Sequence, residues 1–255
     1  MSKLPEKYKF LDLSDYGRPI AKLIASSLKK TSFTPIHVTL LFVISGLIGV
    51  YCIIEDYKWA AAFFLILKSI LDAADGELAR LKKTPSHTGR YLDSISDIIL
   101  NLIILLAICY TSEISLIVTL FAFFAIQLQG TLYNYYYVIL RNNSNGDTTS
   151  RIFEYEAPKA LPGESQLIVN RLFSIYKILY GFFDKIIYKL DSNAFESKCF
   201  PKWFMTLLSL FGLGFQLLLI SILIVIDYNI YIMPIFIALT FLIFVFIGLR
   251  KFILK

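Results

Sequence analysis

An all-α, polytopic membrane protein is what the sequence predicts, and three observations predict it. Hydrophobic residues make up 57% of the chain and charged residues 17%, with a mean hydropathy of +0.66, too apolar for an ordinary soluble domain. The apolar residues are gathered into runs of the length a helix needs to cross a bilayer, about 20 residues. The basic residues are asymmetric: of the 25 Lys and Arg, all but Lys58, in a turn, and Lys68, inside a run, fall on the side shared by both termini. The positive-inside rule then puts both termini in the cytoplasm. Six transmembrane helices and two amphipathic surface helices follow, in a single membrane-embedded domain over residues 1–255.

Residues 1–30 form a cytoplasmic juxtamembrane segment. They hold no long apolar run, which excludes a secretory signal. Pro19, Ile20, Leu23, Ile24 and Leu28, interspersed with Lys22, Lys29 and Lys30, give a short amphipathic helix on the membrane face. The first span is 33–54, opened by Thr34-Pro35, with His37 a packing residue. The second starts near Trp59 and is long enough to cross only if it continues through Arg80, which places Lys68, Asp72 and Asp75 on it. The third is Tyr91 to Cys109. The fourth runs from about Ile114 to Leu140, with Gln127 and Gln129 as interhelical hydrogen-bonders and Tyr133 to Tyr137 as an aromatic belt.

Residues 141–202 read as a cytoplasmic insertion between the fourth and fifth spans, broken by Pro158, Pro162 and Gly163. Within it Ile168, Leu172, Ile175, Leu179, Phe182, Ile186 and Leu190 recur at helical spacing, so 165–190 is a second amphipathic surface helix. The last two spans are Trp203 to Ile226 and Ile230 to Leu249, with Pro234 in the sixth. The net charge of +6 is dispersed along membrane-flanking segments; this fits anionic lipid headgroups and argues against nucleic acid. Cys52, Cys109 and Cys199 lack metal-ligand spacing and read as packing residues.

The chemistry is concentrated in Asp72-Ala-Ala-Asp75-Gly76-Glu-Leu-Ala79-Arg80 and Gly89-Arg-Tyr-Leu-Asp93-Ser-Ile-Ser-Asp97. At about 100° per residue, Asp72, Asp75, Gly76 and Ala79 share one helix face with Arg80 at its edge, and Gly89, Asp93 and Asp97 share another. The short link makes the two helices antiparallel, so the faces can meet. Four facing carboxylates repel unless cations lie between them, and all-oxygen donors select hard divalent ions, Mg2+, Mn2+ or Ca2+. The glycines leave the backbone open to a bulky ligand, and Arg80 offers a fork suited to phosphate. Lys68, one turn deeper, is a counter-ion to the carboxylates, a phosphate contact or a local neutraliser. Loop residue His87 reads as solvated.

These eight residues, Asp72, Asp75, Gly76, Ala79, Arg80, Gly89, Asp93 and Asp97, carry without departure the signature D-x2-D-G-x2-A-R-x8-G-x3-D-x3-D, and the chain resembles the CDP-alcohol phosphotransferases. The resemblance implies an enzyme that moves a phospho-alcohol unit from a CDP-alcohol donor to a hydroxyl acceptor, releasing CMP in phospholipid biosynthesis without a covalent intermediate. It implies Asp72, Asp75, Asp93 and Asp97 as ligands of two Mg2+ or Mn2+ ions, Asp97 also as general base, and Gly76, Ala79, Arg80 and Gly89 as the CDP-alcohol site. Homodimers are common among such proteins.

Two donor arrangements stay open: CDP-diacylglycerol with a polar acceptor, favoured by the short six-span layout and the basic cytoplasmic side, or a CDP-choline or CDP-ethanolamine type donor with a lipid alcohol. A divalent-cation transporter could also use intramembrane aspartates. It has no evident need for Gly76, Ala79, Arg80 and Gly89 at these spacings.

Overall fold

The computed structural model describes residues 4–144, 154–197 and 200–252, and these form helices joined by short connections with no strand among them. Cys199 and part of the 141–202 insertion lie outside the described residues. The helices are α1 (Arg18–Leu28), α2 (Pro35–Ile54), α3 (Lys58–Lys82), α4 (His87–Thr111), α5 (Leu116–Asn143), α6 (Gln166–Leu190), α7 (Lys202–Leu208), α8 (Leu213–Val225), α9 (Asn229–Leu239) and α10 (Phe241–Phe252).

Their ends follow from local chemistry. The Thr34 side chain accepts from the His37 N–H while His37 Nδ1 accepts from the Thr34 N–H at 2.9 Å. That is a capping box, with Pro35 in the first turn where its missing donor costs nothing. His37 is therefore a cap. α3 stops where Lys83 turns left-handed at φ 56°, and α4 starts on Ser86, whose Oγ accepts from the Gly89 N–H at 2.8 Å. His87, expected in the loop, is the first residue of α4.

Among the described residues, four helices are long and apolar enough to cross a membrane: Pro35–Ile54, His87–Thr111, Leu116–Asn143 and the joined Asn229–Phe252. A fifth span arises if Lys202–Phe211 and Leu213–Val225, bent by 54° at Gly212, count as one. The fifth predicted helix is thus broken. At 25 residues α3 matches α4 in length. α3 is not among the four; it carries Lys68, Asp72 and Asp75 in its middle, whereas the charged residues of α4, Arg90, Asp93 and Asp97, lie in its first half.

α2 is the hub. α3 and α4 each pack closely on it and less closely on one another. Gly46 permits the α2–α4 approach, since a Cβ there would come within 2.9 Å of Leu100. α1 lays Ala21 and Ala25 against Ile70, Ala74 and Leu78 of α3. α6 covers α4 through Val169 and Phe173 against Tyr91 and Ile95, which is the amphipathic helix expected at 165–190. The largest apolar core lies at the opposite end of the bundle, built from Leu65, Ile104, Leu105, Ile126, Leu217, Ile220 and Met233.

Two expectations about polar residues need correction or sharpening. Tyr135 and Tyr136 are buried, and their hydroxyls reach the Asp191 carbonyl at 3.0 Å and the Asp191 carboxylate at 2.6 Å. Arg250 completes that cluster, so the tyrosine run is an interior anchor for the C-terminal helix and not an interfacial belt. Gln129 does bond between helices, donating to the Phe236 carbonyl at 2.8 Å.

Candidate active site

The site lies where the second half of α3 faces the first half of α4. The two helices make few close backbone approaches to one another, and the carboxylates reach across from each. One carboxylate oxygen from each of Asp72, Asp75 and Asp93 falls within 4.8 Å of the others. Asp75 is anchored by Thr39 of α2, whose Oγ1 donates to Oδ2 at 2.7 Å. Asp93 has a buried Oδ1 with no hydrogen-bond partner. Such an atom is costly unless a ligand satisfies it, and three hard oxygens converging at this spacing are the donor set a divalent cation takes. The residues present therefore fit a metal ion.

Asp97, one turn further along α4, is engaged differently. Its carboxylate forms an ion pair with Lys68, which is fully buried and also lies 5.3 Å from the centroid of the Phe42 ring. Lys68 is thus the counter-ion of Asp97, and Asp97 stands outside the triad of converging oxygens. Directly beside it, Tyr180 of α6 donates to the Ser94 carbonyl at 2.8 Å, closing the α6 side of the helix start.

Arg80 folds back over Gly76. The atoms nearest to a Cβ on Gly76 would be those of the Arg80 guanidinium, two of them at 3.6 Å, so the glycine gives the guanidinium room beside the helix. Glu77 Oε1 lies 3.1 Å from Arg80 Nη2, an ion pair, yet Nε and Nη2 of Arg80 have no hydrogen-bond partner. The guanidinium keeps donors for an anion. Gly89 serves the chain itself: the nearest atom to a Cβ there would be Ser86 Oγ at 3.2 Å, so its smallness protects the α4 cap.

On the other side of the α4 start, Arg90 grips Glu154 at 2.5 and 2.8 Å and Tyr91 donates to Glu154 at 2.5 Å. Glu164 accepts from Ser86 Oγ and the Thr88 N–H, both at 2.7 Å. Partial burial raises the proton affinity of Glu164, and the bonds from Ser86, Thr88 and Leu161 outweigh it, holding the carboxyl at about 2. The insertion after α5 therefore clamps the helix that carries Asp93 and Asp97.

Sequence reasoning put Asp72, Asp75 and Asp93 on facing helices, and the structure brings one oxygen of each together, with Arg80 lying against Gly76. It missed Thr39, Glu77, Arg18, Glu154 and Glu164. Thr39 was legible in principle, as a hydroxyl on the apolar run of α2, and so was Glu77, three residues before Arg80 on the same helix; Arg18, Glu154 and Glu164 act over separations that no spacing rule reaches.

Residues 32–152 match the family model described as CDP-alcohol phosphatidyltransferase. The chain carries a CDP-alcohol phosphatidyltransferase domain. A search of curated proteins finds no match. The matched stretch takes in α2 to α5, and with them all eight motif residues and the Thr39 and Lys68 contacts. Domains of this family are transferases of phosphate-containing groups and generally use a divalent metal. α1, α6 and the C-terminal helices lie outside the match and enclose it.

Proposed function

We propose that the protein is an integral-membrane transferase that moves a phosphatidyl group from CDP-diacylglycerol to a hydroxyl of a polar acceptor, releasing CMP. The observation that carries this reading is the convergence of Asp72, Asp75 and Asp93 within 4.8 Å beside the unspent Arg80 donors. In this reading the chain is one membrane-embedded unit of six spans. α3 counts as a span whose charged face is turned to the site, where ionisable residues at membrane depth belong. The lysine and arginine asymmetry puts both termini and the aspartates on the cytoplasmic side, where nucleotide donors are available.

Asp72, Asp75 and Asp93 would hold Mg2+ or Mn2+, with Asp97 as a further ligand if two ions bind. Bound cations would supply positive charge to the pyrophosphate and to the departing CMP. Arg80, given room by Gly76, binds a phosphate oxygen through its free donors. Asp97, held by Lys68, takes the proton of the acceptor hydroxyl as it attacks the lipid-bearing phosphorus. α2 packs against both carboxylate-bearing helices, so that their alignment is set before substrate arrives.

The test is direct. Purified protein in detergent, supplied with Mg2+ or Mn2+, labelled CDP-diacylglycerol and a panel of polar acceptors, is expected to release CMP and form a labelled phospholipid, and EDTA is expected to stop it. CMP release only from CDP-choline or CDP-ethanolamine with diacylglycerol would shift the reading to headgroup transfer. Silence with every donor and acceptor would end it, and a cation carrier would show no CMP release at all.

A further inference from the structure

We propose that Arg18, which precedes the matched region, is a positioning residue for Arg80: it acts through Glu77 to keep the Arg80 guanidinium available for the pyrophosphate of the donor. The inference rests on the reading of Arg80 given above. Arg18 Nη1 donates to Glu77 Oε1 at 2.5 Å, and Arg18 Nε is paired with Asp15. The same Glu77 oxygen lies 3.1 Å from Arg80 Nη2, but without hydrogen-bond geometry. One nearly buried carboxylate oxygen is therefore shared by two guanidinium groups, and Arg18 has the better share.

The consequence is electrostatic and geometric. Glu77 and Arg80 are three residues apart on one helix, a spacing at which opposite charges close on each other. With Arg18 removed, Glu77 is free to take a full hydrogen bond from Arg80 and so occupy donors meant for phosphate. The group Asp15, Arg18, Glu77 and Arg80 is also charge-balanced. Without Arg18 it carries a net negative charge that repels a pyrophosphate, weakly screened in a partly buried site.

Arg18 is well placed to hold this position, because the chain before it has little slack. The Leu13 N–H donates to Ser209 Oγ at 2.9 Å, and Tyr133 of α5 bonds Asp12. A Cβ on Gly17 would come within 2.7 Å of Ile70 of α3, and Cβ atoms on Gly212 and Gly214 would collide with Ser14. Residues 12–18 thus form a strap across α3, α5 and the α7–α8 bend, delivering Arg18 to Glu77.

The experiment compares Arg18→Ala, Arg18→Lys, Glu77→Gln and the Arg18→Ala/Glu77→Gln pair in detergent with Mg2+ present. CDP binding is measured by calorimetry, and KM and kcat for CDP-diacylglycerol by CMP release. Arg18→Ala is expected to weaken CDP binding and raise KM by about tenfold, the scale of one charged hydrogen bond, with kcat within about twofold of wild type, a loss of binding common to ground and transition states. Arg18→Lys is expected to recover most of that loss. Adding Glu77→Gln to Arg18→Ala is expected to restore affinity, because the carboxylate that closes on Arg80 is gone. Wild-type affinity in Arg18→Ala, equal losses in the Ala and Lys variants, or a double variant worse than Arg18→Ala would each overturn the proposal. If Arg18→Ala does not fold, Arg18→Lys against the Arg18→Lys/Glu77→Gln pair carries the same comparison, the added Glu77→Gln being expected to improve affinity and overturning the proposal if it lowers it. A wild-type protein that neither binds CDP nor releases CMP would instead overturn the functional reading beneath it.

Discussion

Lys68 of α3 and Asp97 of α4 form an ion pair in the interior of the bundle, and the Lys68 side chain has no exposed surface. It bridges two helices that otherwise lean on α2. Breaking a buried pair from one side leaves the other charge unpaired, at a cost of about 3–5 kcal/mol. Lys68→Ala is therefore expected to lower the thermal unfolding temperature sharply in detergent. Lys68→Leu combined with Asp97→Asn is expected to be markedly more stable than Lys68→Ala, since no charge is stranded. Equal stability of the two variants would mean that the pair does not couple the helices.

Asp97→Asn separates the chemistry from binding. The amide keeps the shape but takes no proton, so turnover is expected to fall by about 10²–10⁴-fold, the range for a general base. The variant leaves Lys68 without its partner and is expected to unfold at a lower temperature, but CDP affinity of the folded protein is expected to stay close to wild type, because Arg80 and the Asp72, Asp75 and Asp93 oxygens are untouched. Kinetics beside calorimetry reads both, and near-normal turnover would remove the proposed base.

The sequence carried α2 and α3 almost to the residue because their boundaries are local, whereas α4 starts at His87, four residues before the expected Tyr91. Thr34-Pro35 caps α2, and the run from Trp59 had to continue through Arg80 to reach spanning length, as α3 does. The break at Gly212 was missed although Gly212 and Gly214 stand in the run as breaker residues; what the sequence does not show is that Ser14, 198 residues from Gly212 in the chain, packs against both glycines. Likewise the tyrosine run at 133–137 has the composition of an interfacial belt, and only the distant Asp12 and Asp191 turn it inward. Within the site, the converging aspartates followed from helical period; the division of labour between the triad and the Lys68-bound Asp97 depends on how the two helices are packed together.

Asp93 tests the metal reading independently of turnover. Its Oδ1 is buried and without a partner, while Asp75 has Thr39. Asp93→Asn is expected to weaken Mn2+ binding, followed by electron paramagnetic resonance of the free ion, more than Thr39→Val does, because it removes a ligand and not the partner of one. Indistinguishable Mn2+ binding in Asp93→Asn and wild type would exclude Asp93 from the site.

Glu164 gives the fold a dependence on acid. Its carboxyl is held at about 2, down from an ordinary 4.5, by Ser86, Thr88 and Leu161. A depressed value in the folded state means that the ionised form stabilises the fold above about pH 4.5 and that this contribution is lost as pH falls toward 2. Glu164→Gln is expected to be less stable than wild type at pH 7 and to converge with it between those limits. A stability gap that stays constant across that window would show that the clamp on α4 does not depend on the charge.

Gly214 ties the strap to the bundle and can be probed without touching any charged group. A Cβ there would collide with the Ser14 carbonyl oxygen, a backbone atom that can move only if the whole segment does. Gly248, also in a helix, has open space within 4 Å of where a Cβ would lie. Gly214→Ala is expected to lower stability by about 1–3 kcal/mol, as forced overpacking does, whereas Gly248→Ala is expected to be neutral or to gain up to about 1 kcal/mol from helix propensity. Because the strap also delivers Arg18, Gly214→Ala should weaken CDP binding while Gly248→Ala leaves it unchanged. Loss of stability with full CDP affinity would show that the strap holds the fold but not the nucleotide site.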